Sequence, residues 1–99
     1  MSGDSAAGTV RARIVLFPTM DGGRAGPIHD GYRPHVTVSD GEMLGVTVRM
    51  VNDASISPGD DGEVTLVLMY PEVDYSPLTS GAEFTIREGH RGIGAGKVH

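Results

Sequence analysis

From Glu63 to Tyr70 the chain reads Glu-Val-Thr-Leu-Val-Leu-Met-Tyr, so Val64, Leu66 and Leu68 recur at every second position. Extended backbone alone puts such residues on one face, because successive side chains in a strand point to opposite sides. Thr65, Val67 and Met69 fall on the other face, and Pro71 ends the run. The same period recurs from Thr9 to Phe17, where Val10, Ala12, Ile14 and Leu16 alternate with Arg11, Arg13 and Val15. It appears again in Val46, Val48 and Met50, and in Ala82, Phe84 and Ile86. A chain built this way cannot bury its apolar residues as helices.

What separates these runs is equally directive. The segment Pro18 to Asp30 is dense in glycine and proline, as are Asn52 to Gly62 and Tyr75 to Gly81, and each predicts a loop. Strands are therefore expected at 9–17, 33–39, 46–51, 63–70 and 82–88, with a sixth reaching Val98. Pro34 is tolerated only at the start of its strand or on an edge. Met43 and Leu44 suggest that part of the preceding loop is tucked against the core. Gly89-His90 is a Gly-X pair suited to a two-residue type II′ turn, which makes the last two strands an antiparallel hairpin. The fold class is all-β. Closing six strands into an antiparallel β-barrel removes exposed edges, while a sandwich fits the same pattern.

Ninety-nine residues, of which 38% are hydrophobic, suffice for one core, so residues 9–99 read as a single domain. Residues 1–8 are small and polar and read as a disordered tail. They lack the charged flank and apolar run of a signal peptide, and no stretch approaches the roughly 20 apolar residues that cross a bilayer. No membrane role is expected, and a cytoplasmic protein is the default. With no cysteine there is no disulfide and no thiolate metal site. Thirteen acidic residues against eight basic ones give a net charge of -5, which repels a phosphate backbone unless the arginines cluster. DNA is accordingly not expected as a partner. Arg24, Arg33, Arg87 and Arg91 do lie beside glycines in predicted turns.

Residue patterns for catalysis are not found, and the chain reads as a non-enzyme with no cofactor. Gly92-Ile-Gly-Ala-Gly-Lys97 lacks the first glycine of a phosphate-binding loop, where Arg91 stands, and has Val98 where a hydroxyl residue is required. Glycines on one face of a strand explain it better. His29, His35 and Glu42 are not spaced as metal ligands, and His90 belongs to a turn. Asp60-Asp61-Gly62-Glu63 lacks the oxygen spacing of a calcium loop. Ser55, Ser57, Ser76 and Ser80 lack the Gly-x-Ser-x-Gly context of an activated serine.

Three segments carry more than composition: Asp21-Gly-Gly-Arg24, Gly31-Tyr-Arg-Pro34, and Phe84-Thr-Ile-Arg-Glu-Gly-His-Arg-Gly-Ile-Gly-Ala-Gly96. In this order and spacing they resemble the third domain of bacterial elongation factor Tu, a six-stranded antiparallel barrel, over about residues 9 to 98. In that family the barrel follows a GTPase domain and a second barrel, contacts the GTPase domain and helps hold the T-stem of aminoacyl-tRNA. The chain opens on a methionine and carries neither companion domain, so it reads as a stand-alone relative. The resemblance implies that Arg24, Arg33, Glu88 and Gly89 occupy positions facing tRNA backbone or ribose. Departures weaken the RNA reading: Ala25 replaces a histidine, His35 a glutamine, Leu44 a threonine, and Tyr70 a basic residue. The expected working surface is Arg24, Arg33, Glu88, Gly89 and Arg91. The expected occupant is a protein, GTPase-like by family analogy; the alternative is a tRNA acceptor and T-stem helix. The alternative for the group Arg24, Arg33, Arg87 and Arg91 is that Arg87 and Glu88 make local ion pairs worth little. A small-molecule role rests on family analogy alone.

Overall fold

The computed structural model describes residues 8–99. Eight strands run in chain order: β1 Gly8–Leu16, β2 Ile28–His29, β3 His35–Thr37, β4 Leu44–Met50, β5 Ser55–Ile56, β6 Asp61–Leu68, β7 Glu83–Glu88 and β8 Arg91–Val98. One 3-10 turn, Thr19–Asp21, follows β1. Six of the strands close into a barrel in the order β1-β6-β4-β3-β7-β8, and every pairing is antiparallel. Of the two all-β solutions the pattern allowed, the barrel is the one adopted. Of the tail expected at residues 1–8, residues 1–7 lie outside the described residues, and Gly8 is instead the first residue of β1.

The alternation works as expected in β1 and β6. Ala12, Ile14 and Leu16 are buried and face Val64, Leu66 and Leu68 in the core. Three expectations need correction. The strand expected at 33–39 shrinks to His35–Thr37. Tyr32 is joined to Val48 only by an isolated bridge, and the pyrrolidine nitrogen of Pro34 has no hydrogen to donate to a ladder. Leu44 belongs to β4 and not to the loop before it. The loops at 18–30 and 52–62 are not wholly irregular: Ile28 and Ile56 pair across a small ribbon, β2 with β5, and both side chains are buried. Short apolar residues amid glycines gave no periodic signal, yet tertiary burial of two isoleucines suffices to order them.

The ribbon packs at the barrel end that holds the start of β6, where Ile56 lies against Gly62. Segment 69–82 covers the opposite end, with Tyr75 and Leu78 buried. The Tyr75 hydroxyl donates to the Gly45 carbonyl at 2.6 Å and accepts from the Tyr70 N–H at 3.2 Å. Gly8 and Val98 also lie toward that opposite end, because β1 pairs Gly8 with Leu68 and Ala12 with Val98.

In β8 the alternation breaks. Arg87 is opposite Gly92 and Ile86 opposite Gly94, so Ile93 is an extra residue, a β-bulge. Strict alternation puts Ile93 outside with Ala95; the bulge turns it inward, and it is fully buried. Gly94 and Gly96 face inward as well. Gly96 sits between Ile14 and Phe84, and a Cβ there runs into the Phe84 ring and comes within 2.8 Å of Ile14 Cγ2. The inward glycines of this strand make room for neighbouring groups, Gly96 for the Phe84 ring and Gly94 for the Val15 carbonyl and the Leu16 side chain.

Replacing Gly96 by valine is expected to cost about 1–3 kcal/mol through overpacking. Lys97→Thr, one residue on and facing solvent, is expected to stay within about 0.5 kcal/mol. Urea unfolding followed by circular dichroism compares the two.

Candidate binding surface

The Gly22-Gly23-Arg24 run has a local physical cause. Gly22 closes the 3-10 turn in the left-handed region at φ 89°, with its N–H bonded to the Thr19 carbonyl. Gly23 then doubles back so tightly that a Cβ has no room beside the Phe17 and Pro18 carbonyls. Its own N–H donates to the Pro18 carbonyl at 3.0 Å, and the Thr19 hydroxyl donates to the Arg24 carbonyl at 2.6 Å. The backbone at Arg24 is thereby fixed before its side chain makes any contact.

That side chain reaches across the barrel end. Arg24 Nη1 donates to Glu88 Oε2 at 2.6 Å, and its Nε donates to the Gly26 carbonyl at 3.2 Å. The guanidinium carbon also lies 5.0 Å from the centre of the Tyr32 ring, a cation–π arrangement. Tyr32 donates its hydroxyl to the same Glu88 Oε2 at 2.5 Å. A second arginine ties the turn down, because Arg91 Nη2 donates to the Gly23 carbonyl at 3.3 Å. The β7–β8 turn between Glu88 and Arg91 has Gly89 at φ 63° and no positive φ at His90, the signs a type II′ turn requires.

Arg24, Glu88, Gly89 and Arg91 are thus brought together from segments more than sixty residues apart in the chain. Arg33 lies just off the end of the β3–β7 ladder, in which His35 pairs with Arg87. It is exposed and makes no side-chain hydrogen bond among the described residues. The alternative of local pairing by Arg87 and Glu88 with each other is not formed: Glu88 takes Arg24, while Arg87 donates to Thr37 Oγ1 and to the His90 carbonyl, both at 3.0 Å. A strand alternates its side chains, so neighbours 87 and 88 point to opposite faces.

Sequence reasoning overlooked Tyr32. An aromatic hydroxyl between two arginine-bearing glycine turns was the available signal, since a half-buried tyrosine seeks a polar partner. Burial, and then the hydrogen bond to the negative Glu88, push its pKa well above tyrosine's usual value; the Arg24 and Arg91 charges pull the other way without winning.

Three of the four departures meet around Gly45, and Ala25 lies apart in the turn after β1. His35 is paired with Gly45, the Tyr70 ring lies over Gly45, and Leu44, next to it in the strand, is turned into the core. Among the described residues no group of three His, Asp or Glu side chains is arranged to hold a metal ion. None of the helical residues described is part of a helix long and apolar enough to cross a membrane.

A closed six-stranded antiparallel barrel, its Gly-Gly-Arg turn bound to the Arg-Glu-Gly hairpin, defines a translation-factor-like β-barrel module. The family model for the elongation factor Tu C-terminal domain matches residues 5–99, and the chain belongs to that family. The family domain is non-catalytic, and membership implies interaction with proteins or RNA in translation.

The Tyr32 shift has a definite sign. Above about pH 10 the unfolded chain loses the phenol proton while the folded chain keeps it, so stability falls as pH climbs further. Tyr32→Phe is expected to cost about 1.5 kcal/mol at neutral pH, the worth of a hydrogen bond to a charged group. It is also expected to flatten the decline in melting temperature between about pH 9 and about pH 11. Thermal melts across that range check both effects.

Proposed function

We propose that this barrel is a non-enzymatic docking module, working as one unit over residues 9–99. Its contact surface comprises Arg24, Arg33, Glu88, Gly89 and Arg91. The occupant is a protein, GTPase-like by analogy with the domain that the family barrel packs against. Membership of a translation-factor family supports a cytoplasmic setting. The observation that carries the reading is the lock of Arg24 and Tyr32 on Glu88, which holds a rigid surface and leaves Arg33 exposed beside it. A surface already ordered loses little entropy on association.

RNA binding is the second reading, because four of these residues occupy positions that face tRNA in the resemblance. Two observations weigh against it. Glu88 Oε2 already accepts from Arg24 and Tyr32, and Tyr70 stands exposed where the resemblance has a basic residue, while Leu44 is turned into the core.

A lysate pull-down with the wild-type chain, Arg24→Ala and Arg91→Ala tests the reading. A protein captured by the wild type is expected to be lost or strongly reduced with both variants. Equal capture by all three, or recovery of nuclease-sensitive RNA alone, contradicts it.

A further inference from the structure

The charges of this chain are unevenly placed. Half of its eight basic residues, Arg24, Arg33, Arg87 and Arg91, gather at the end closed by the β7–β8 turn, where among the described residues Glu88 is the carboxylate bonded to an arginine of the group and Asp21 is exposed in the neighbouring turn. The rest of the sequence has four basic residues. Arg24 keeps Nη2 unbonded among the described residues, Arg91 keeps Nη1 and Nε, and Arg33 keeps its whole guanidinium. These forks suit carboxylate oxygens.

A second, independent feature adjoins them. Met20 is 90% exposed, whereas the other large exposed apolar residues, Val15, Val51 and Tyr70, are about 40% exposed. It does not sit on a loose loop: the Asp21, Gly22 and Gly23 N–H groups all bond back to Pro18 or Thr19. Three residues after Met20 the Gly23 carbonyl is held by Arg91. A rigid turn, tied to Arg91, thus presents a thioether to water. Phosphate has no use for such a group, but a protein side chain does, because covering the methionine removes apolar surface from water.

We propose that the partner seated on this end is a protein segment carrying carboxylates flanked by an apolar side chain. The carboxylates meet Arg33 and Arg91 and the apolar group covers Met20. This rests on the docking reading above and names the chemistry of its partner. Dense polyanions are disfavoured, since the chain's net charge of -5 opposes them over a distance of about a Debye length.

The probe is a labelled short peptide of alternating glutamate and leucine, titrated by fluorescence anisotropy. A glutamate–serine peptide and a labelled RNA duplex are titrated in parallel. The glutamate–leucine peptide is expected to bind more tightly than either and to weaken with added salt. Arg33→Ala and Arg91→Ala are each expected to weaken it by up to about fivefold. Met20→Ser is expected to remove the preference for leucine over serine while leaving the salt dependence intact. Circular dichroism melts confirm that the variants fold. Binding of the duplex but not the peptide overturns the proposal, as does peptide affinity indifferent to all three substitutions. If no peptide binds while the lysate capture still depends on Arg24 and Arg91, this chemistry is wrong and the docking reading survives.

Discussion

The pairing of β1 with both β6 and β8 is the constraint on which everything else depends. It turns a six-stranded sheet into a ring, satisfies the backbone groups an edge exposes, and forces the inward residues of six strands into one core. It also fixes where the loops go. Because β1 ends beside the start of β8, the Gly-Gly-Arg turn after β1 emerges next to the β7–β8 turn, and Arg24 needs only its side chain to reach Glu88.

The arginine end is a small mutually dependent structure. Gly23 brings the chain close to Phe17, Thr19 fixes the Arg24 carbonyl, Arg91 fixes the Gly23 carbonyl, and Tyr32 shares with Arg24 one oxygen of Glu88. Local bonds set each turn, and Arg24–Glu88, Tyr32–Glu88 and Arg91–Gly23 tie the turns to one another. A surface assembled in this way changes shape little on binding, which favours recognition by fit over recognition by adaptation.

Much of the fold was legible because period-2 alternation is a direct imprint of one buried face. Ala12, Ile14, Leu16, Val64, Leu66 and Leu68 could be assigned to the core from spacing alone. Ile93 could not, since a bulge changes the side of a residue without changing its neighbours in sequence. Ile28 and Ile56 were hidden for a different reason: a two-residue strand is too short to show a period. At the arginine end the participants were visible as motifs, but their partners were not. Arg24 and Glu88 meet across sixty-four positions, and only closure of the ring tells which distant carboxylate an arginine finds.

Gly8 and Val98 both leave the barrel at the end opposite the arginines. Whatever polypeptide is joined before the first strand or after the last is therefore attached at the rear of the molecule. Tethering through either terminus works like a handle, and it turns the Arg24–Arg91 face outward toward whatever approaches.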